Sequence, residues 1–236
     1  MEAITCYERA LANDSQSTNA WRGNGNSLSA LGRTEEAITC YDKALVIDPL
    51  LTKVWINRGR IVKRHDEAIR CYEKALALDP QNAEAWKNKG RTLHILSRYK
   101  EANFCFDKAL AITPEASDAW SLKGFLLGAL GRREEGIACY DKALAIDPQN
   151  FDAWKGKGSS LVVLGRPEQG IACYEKALAI DPLNATEWFN KGNAEDILGR
   201  NAAAVRSFAR ALELASAQDA ELITRARSRI RELQNR

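Results

Sequence analysis

Six cysteines are the residues whose type and regular spacing first suggest chemistry, either a metal centre or a set of disulfides. They are Cys6, Cys40, Cys71, Cys105, Cys139 and Cys173. Each stands just before an aromatic residue in a recurring segment, so equivalent cysteines would lie on stacked helices about 10 Å apart. A disulfide needs its Cα atoms within about 7 Å, and the sequence has no Cys-x-x-Cys pair for zinc. We therefore expect small packing residues, reduced thiols and a reducing compartment.

Two other patterns fail as catalytic or cofactor sites. The stretch GKGSS at 156–160 has the composition of a phosphate-binding loop, but Lys157 and Gly158 fall inside a predicted helix, where their amides are already bonded. The two histidines, His65 and His94, belong to no metal-ligand motif. The sequence has no nucleophile–base constellation and no zincin motif. It therefore predicts a protein that is not an enzyme and that has no cofactor or metal.

Charge is spread unevenly along the 236 residues. The net charge is +3, yet residues 52–104 hold twelve Lys and Arg against six Asp and Glu. Such a block attracts an acidic partner, or it is simply a solvated helix surface. No apolar run approaches the roughly 18–20 residues needed to cross a bilayer, and the first residues lack the pattern of a signal peptide. A cytoplasmic protein without a membrane partner is the expectation.

A tandem repeat organises the chain. Tryptophan recurs at spacings of 34, 31, 34, 34 and 34 residues, and a glycine follows four positions after each tryptophan. Further along each unit comes a segment such as EEAITCYDKALVIDP, which ends at Asp-Pro because proline cannot continue a helix. Between the tryptophan and the central turn, apolar residues fall three and four apart. Each unit therefore predicts two antiparallel helices with an apolar face that only the next unit covers.

This pattern resembles the tetratricopeptide repeat, in which Trp, Gly, a small residue, an aromatic residue, Ala and Pro recur over 34 residues. The resemblance implies an all-α fold, a right-handed superhelical α-solenoid of stacked antiparallel helix pairs. It divides the chain into a leading half repeat at 1–17, six repeats at 18–51, 52–82, 83–116, 117–150, 151–184 and 185–218, and a capping helix at 219–236. We number places from the start of a full-length repeat, so that the tryptophan is at place 4.

Place 7, usually leucine in this family, is polar throughout this chain. Its residues are Asn24, Arg58, Lys89, Lys123, Lys157 and Lys191. The departure does not disturb the fold assignment, because tryptophan, glycine, aromatic residue and alanine are present in the same order in all six repeats and at the same spacing in five of them.

The two ends of the array carry separate expectations. Residues 1–17 hold a second helix without a first one, so either the chain is a fragment of a longer array or this helix stacks on another copy. The tail AELITRARSRIREL puts its apolar residues on one helical stripe and most arginines away from it, as a solvating cap requires. An arginine-rich helix for nucleic acid is the alternative.

The resemblance implies a non-catalytic protein–protein interaction scaffold whose first helices line a concave groove for an extended peptide or a partner helix. The candidate peptide-binding residues carried over to this chain are Arg22, Asn26, Lys53, Asn57, Arg60, Lys87, Asn88 and Arg91. The asparagines can hydrogen-bond a peptide backbone, and the cations favour an acidic segment. The alternative is that these positions are ordinary solvated helix surface.

Other functions are weighed against this one. Arg22, Asn26 and Asn57 meet the first requirements of the family's carboxylate clamp for chaperone C-termini, but Glu84 and Asn88 stand where that clamp needs cations. The chain can also be a regulatory or interaction module cut from a larger signalling or enzyme chain. RNA binding is disfavoured, because few aromatic residues occupy the groove positions for stacking on bases.

The second repeat is three residues short. Nine steps separate Gly59 from Ala68, where the other repeats have twelve, and the Leu-Gly that closes the first helix elsewhere is missing. Three residues correspond to roughly 4–5 Å of helix. We expect the pair still to stack, with a tighter turn near residues 65–66 and a basic notch at 63–64 beside the groove.

Overall fold

The computed structural model describes residues 2–235, and every regular element in that range is an α-helix. In chain order the helices are α1 (Glu2–Asn13), α2 (Thr18–Ala30), α3 (Thr34–Ile47), α4 (Thr52–Ile61), α5 (His65–Leu78), α6 (Ala83–Ile95), α7 (Tyr99–Ile112), α8 (Ser117–Ala129), α9 (Arg133–Ile146), α10 (Phe151–Val163), α11 (Pro167–Ile180), α12 (Ala185–Ile197), α13 (Asn201–Leu214) and α14 (Ala220–Gln234). They form two compact units, one ending at Pro114 and one beginning at Glu115. The predicted all-α class is confirmed.

Consecutive helices pack as pairs within each unit. In the first unit α1 packs on α2, followed by the pairs α2–α3, α4–α5 and α6–α7. In the second unit the pairs are α8–α9, α10–α11 and α12–α13, and α14 packs on α13. Each pair also contacts the next one in its unit, for example α5 with α6 and α11 with α12. The apolar core therefore runs along each stack and has no single centre.

A glycine and an aromatic ring fix the crossing of each pair. A Cβ atom added at Gly25 would lie 2.6 Å from the ring of Tyr41, and one added at Gly192 would lie 2.8 Å from Phe208. Both rings are buried. The place-8 glycine is thus required by the close approach of the two helices, and the recurrent Gly–aromatic spacing of the sequence reports this contact.

The turns inside the pairs use the left-handed conformation predicted for their glycines. Gly32, Gly131, Gly165 and Gly199 have φ between 69° and 77°. The third repeat has Ser97 there, with φ 58°. In these turns the residue after the left-handed one donates its amide back to the first helix, as Arg33 does to the carbonyl of Leu28 at 2.9 Å.

The tryptophans hold the connections between pairs. The indole N–H of Trp55 donates to the carbonyl of Pro49 at 2.9 Å, and that of Trp188 donates to the carbonyl of Pro182 at 3.0 Å. The carbonyl lies six residues earlier in both cases. One side chain therefore packs between the helices and also satisfies a loop carbonyl that the Asp-Pro helix stop would leave unbonded.

The short repeat changes the first helix and its turn. Helix α4 has 10 residues where α2, α6, α8, α10 and α12 each have 13. The prediction of a turn near residues 65–66 is wrong, because His65 and Asp66 already belong to α5 and the connection is 62–64. Asp66 and Glu67 in the first turn of α5 favour this early start, since carboxylates stabilise a helix N-terminus. Lys63, expected at a basic notch, donates to the Glu35 carboxylate at 3.1 Å.

The cysteines are free and mostly serve as packing residues. Five of the six are buried, and Cys6 on α1 is exposed. Burial raises the pKa of the Cys105 thiol to about 11, so that thiol stays protonated. Among residues 2–235, no three His, Cys, Asp or Glu side chains are placed to hold a metal ion. Over the same range, no helix combines the length and the apolar character needed to cross a membrane.

Helix α14 covers α13 and carries an ion pair back to α12. Ala226 and Leu233 are buried in the same apolar cluster as Phe208. Arg229 binds the carboxylate of Asp196, whose side chain is almost completely buried. At least one arginine of this helix is therefore held by an ion pair within the protein.

Candidate functional site

All eight predicted binding residues lie on the first helices of the first unit. Arg22 and Asn26 are on α2; Lys53, Asn57 and Arg60 are on α4; Lys87, Asn88 and Arg91 are on α6. Helix α4 contacts both α2 and α6. The structure therefore places these residues on three neighbouring helices, which we call the α2–α4–α6 face.

Asn26 and Asn57 form one hydrogen-bonded group with a tyrosine from the second helix. The hydroxyl of Tyr41 donates to Oδ1 of Asn26 at 2.8 Å, and Nδ2 of Asn57 donates to the same oxygen at 2.8 Å. Burial raises the pKa of Tyr41 to about 12, so its hydroxyl remains a donor at neutral pH. The N–H groups of Asn26 and Oδ1 of Asn57 bond to no other described group. The arrangement leaves a donor and an acceptor side by side for another molecule.

Cations surround this group. Lys53, Arg60 and Arg91 are exposed, and Arg22 is half-buried, with one guanidinium nitrogen 3.2 Å from Oδ1 of Asn19. Arg60 lies 3.9 Å from the Glu84 carboxylate, at the edge of ion-pair range, and both side chains are half-exposed. Such a contact is weak in solvent. Glu84 therefore leaves the charge of Arg60 largely available to an anion.

Two of these cations lie close to the buried tyrosines. Burial raises the pKa of Tyr72 to about 12, and the charges of Arg91 and Arg60 act against that rise. Arg60 acts in the same way on Tyr41. The charge of Arg60 therefore acts on the hydroxyl that orients Asn26.

Asn88 differs from Asn57 although the two hold the same place in consecutive repeats. Asn88 is only 5% exposed, while Asn57 is half-buried. The backbone carbonyl of Asn88 accepts a hydrogen bond from the hydroxyl of Thr92 at 3.1 Å. A shared place in the repeat thus does not give the two amides equal access to a ligand.

The role of the tyrosine hydroxyl went unpredicted, because packing alone explains an aromatic residue at place 24. Phe106 and Phe208 fill that place in two repeats, with no hydroxyl. Tyr41 on α3 and Tyr72 on α5, the helices before and after α4, fill it with a hydroxyl-bearing ring. The choice of tyrosine where phenylalanine would pack equally well is the sequence signal for a hydrogen bond there.

Several cations at place 7 form ion pairs between helices and are not part of the α2–α4–α6 face. Three of them bind an acidic residue of the preceding second helix: Arg58 lies 2.7 Å from Asp42, Lys89 lies 2.9 Å from Glu73, and Lys191 lies 2.9 Å from Glu175. Their side chains are only 15–17% exposed. Part of the basic excess of residues 52–104 is therefore neutralised between helix pairs and does not attract a partner.

Family models described as tetratricopeptide repeat match residues 18–51, 58–127, 121–184 and 155–220. Together they cover most of the six predicted units. No curated protein sequence matches the chain.

Several solved structures are similar in fold. Cut9–Hcn1, an APC/C hetero-tetramer, gives a TM-score of 0.81 at 16% identity over 95% of this chain and 45% of that chain. A tetratricopeptide repeat protein from Parabacteroides merdae ATCC 43184 gives 0.76 at 18% identity over 95% and 91%. YrrB, described as a TPR protein with an unusual peptide-binding site, gives 0.56 at 19% identity over 96% and 100%. At these identities the likeness concerns the fold alone.

Proposed function

This chain belongs to the tetratricopeptide repeat family, and from that premise we propose that it is a non-catalytic protein-interaction scaffold. Its ligand is an extended, acidic peptide segment of a partner protein, bound on the α2–α4–α6 face. The observation that carries the proposal is the Asn26–Asn57 pair, which leaves one donor and one acceptor adjacent on exposed or half-buried side chains. A cytoplasmic location is part of the proposal, because six free cysteines fit a reducing compartment. Self-association through α1 stays a prediction.

The asparagine pair suits a peptide backbone. An extended strand presents carbonyl and amide groups in alternation, and the Asn26 amide donates to the first while Oδ1 of Asn57 accepts from the second. Tyr41 holds Asn26 in this orientation before the ligand arrives, which lowers the ordering cost of binding. Recognition of this kind selects an extended chain and not a particular side chain.

The surrounding cations supply the preference for acidic segments. Lys53, Arg60 and Arg91 are exposed on the same face as the asparagine pair, and the Glu84 carboxylate is only weakly engaged with Arg60. Opposite charges on a partner steer its approach and exclude basic segments. The interaction should weaken with added salt, since these charges are in contact with solvent.

The proposal is tested with capped decapeptides of acidic, neutral and basic composition, labelled for fluorescence anisotropy. We expect the acidic peptide to bind best, and Asn57→Ala to weaken it roughly five- to tenfold through loss of the backbone bond. Arg60→Glu should weaken the acidic peptide alone. Asn193→Ala on α12 of the second unit is the matched control and should change nothing. Equal binding of the three peptides, or unchanged binding by Asn57→Ala, would overturn the proposal.

A further inference from the structure

We propose that the short repeat carries a second binding site, on the side of the second helices, for a large apolar side chain of an acidic partner segment. A cavity of about 430 Å³ is bounded by residues of α3, α4 and α5. Leu45, Val46 and Trp55 form its apolar wall, and Arg70 and Lys74 line it as well. The cavity shares no residue with the candidate residues of the α2–α4–α6 face, so this site does not depend on the function proposed for that face.

The polar side of the cavity is built by an ion-pair arrangement of the short repeat. In three full-length repeats the arginine that precedes the second helix binds the glutamate three residues later, as Arg33 binds Glu36 at 2.6 Å. Before α5 the corresponding Arg64 has ψ 114°, where Arg33 has 63°. Glu67 is bound by Arg58 instead, at 2.8 Å. The three missing residues and the change of partner therefore occur together.

Arg58 joins both sides of the cavity. It binds Asp42 of α3 at 2.7 Å as well as Glu67 of α5, and one guanidinium nitrogen lies 3.2 Å from Sγ of Cys71. Burial acts to lower the pKa of Arg58, but its bonds to Asp42, Cys71 and Glu67 raise that pKa overall. Arg58 thus stays charged and forms ion pairs with both carboxylates.

The remaining charge of the cavity is positive. Both lining carboxylates, Asp42 and Glu67, are bound to Arg58. Within the described part of the chain, neither Arg70 nor Lys74 has a carboxylate partner. Three cations against two carboxylates leave the lining with a net charge of +1, and Arg70 and Lys74 are the cations not engaged by those carboxylates. A positive charge next to an apolar wall attracts a group that is apolar with an anion beside it.

The apolar wall gains Val46 from α3 of the repeat that precedes the short one. Val46 is 84% exposed, whereas the next four second helices carry alanine at the same place and the last one carries Glu213. The alanines are Ala77, Ala111, Ala145 and Ala179. Together with Leu45 and the half-buried Trp55, Val46 extends the wall outward from the cavity. An exposed apolar patch with a charged rim marks an interaction site, and the volume falls within the roughly 300–1,000 Å³ of ligand pockets.

The apolar wall and the positive charge together favour one kind of ligand. A peptide segment that inserts a phenylalanine-sized side chain into the cavity places its neighbouring carboxylates against Arg70 and Lys74. A wholly acidic segment would leave the apolar wall unused, and a basic segment would meet two like charges.

The test is a nuclear magnetic resonance titration of the full chain with capped tetrapeptides. The indole N–H of Trp55 is the reporter, assigned with Trp55→Phe, and the indole signals of Trp86 and Trp154 are internal references. Ac-Asp-Phe-Asp-Glu-NH2 should shift the Trp55 signal and leave the references in place. Ac-Asp-Ala-Asp-Glu-NH2 and Ac-Lys-Phe-Lys-Lys-NH2 should not shift it at the same concentration.

Variants separate this site from its alternatives. Arg70→Glu with Lys74→Glu should weaken the phenylalanine peptide roughly tenfold, and Val46→Ala should weaken it roughly threefold. Lys176→Glu on α11, outside both sites, should leave the peptide-induced shift of the Trp55 signal unchanged. Equal affinity for the alanine peptide, equally tight binding of phenylacetate, or a chain that dimerises through Val46 in sedimentation would each overturn the proposal.

Discussion

The side-chain amide of Asn57 on α4 donates a 2.8 Å hydrogen bond to Oδ1 of Asn26 on α2, 31 residues earlier in the chain. The same oxygen accepts from the hydroxyl of Tyr41 on α3. One buried hydroxyl therefore helps to orient the asparagines of α2 and α4. The contact joins consecutive helix pairs by polar groups, beside the apolar packing that joins them elsewhere.

Tyr41→Phe tests this relationship. Loss of the hydroxyl removes one hydrogen bond and should lower the free energy of unfolding by about 1 kcal/mol, measured by urea denaturation. Affinity for the acidic peptide should fall roughly threefold or more, because Asn26 loses the group that orients it. Tyr174→Phe in the second unit is the control: it should affect stability but leave peptide affinity as it is. Unchanged affinity in Tyr41→Phe would mean that Asn26 needs no positioning.

Two glycines one turn apart on α8 should respond to alanine in opposite directions. A Cβ at Gly124 would lie 2.7 Å from the ring of Tyr140, whereas a Cβ at Gly128 would meet nothing within 4 Å. We expect Gly124→Ala to destabilise by roughly 1–3 kcal/mol through overpacking. Gly128→Ala should stabilise by up to about 1 kcal/mol, because alanine is the better helix former. Thermal unfolding of both variants measures the difference, and the same sign for both would contradict this account of the helix crossing.

Arg58 should not be replaceable by lysine. Its planar guanidinium binds Asp42 and Glu67 together, and an ammonium group cannot hold both in that geometry. We expect Arg58→Lys to lower the free energy of unfolding by roughly 1–2 kcal/mol. Lys89→Arg, at the same place in the next repeat, has one acidic partner at 2.9 Å and should be nearly neutral. Urea denaturation of both variants checks this. Equal changes in the free energy of unfolding would show that the double ion pair of Arg58 adds no stability of its own.

Glu187 on α12 should make the second unit more stable in mild acid. It is 1% exposed, and burial raises the pKa of its carboxyl above the ordinary range, although a hydrogen bond from Asn190 and the charge of Lys155 act in the opposite direction. Asp152 also faces it, and Glu187 in turn acts on Tyr174. Between the unfolded pKa, about 4.3, and the higher folded pKa, the folded state binds more protons. This contribution to stability is therefore present at low pH and lost as the pH rises through the folded value.

Glu187→Gln removes the buried charge and tests the sign. The variant should be more stable than the parent at pH 7, and the difference should shrink as the pH falls toward 5, as measured by unfolding at each pH. Glu115→Gln, at an exposed position, is the control. If the difference in stability between Glu187→Gln and the parent grows toward pH 5, the pKa of Glu187 is not raised in the folded state.

The repeat pattern predicts the fold because its signals are local and periodic. Gly25 and Tyr41 keep a fixed spacing, and their contact explains it. The burial of Asn88 escaped prediction, because exposure depends on how neighbouring pairs sit against each other and not on the place in the repeat. The turn of the short repeat was misplaced for a similar reason: the acidic first turn of α5 holds His65 and Asp66 in the helix.

The sequence names the candidate binding residues but not the contacts between them. The cations and amides of the α2–α4–α6 face follow from the resemblance, whereas the hydroxyl of Tyr41 and the pairing of Lys89 with Glu73 join residues of different elements. Such pairs are 15 and 16 positions apart in the chain, beyond the reach of a helical period.

The double pairing of Arg58 has a consequence for how this chain can be rebuilt by recombination. A unit whose turn arginine binds its own glutamate, as Arg98 binds Glu101, brings that contact along when it is duplicated or transplanted. The second repeat keeps the Arg58–Glu67 contact within its own borders, but Arg58 also binds Asp42 of the preceding repeat. Lys89 and Lys191 likewise bind Glu73 and Glu175 of the repeats before them. Any of these repeats, grafted alone into another array, needs a host whose preceding second helix carries an acidic residue at the matching place.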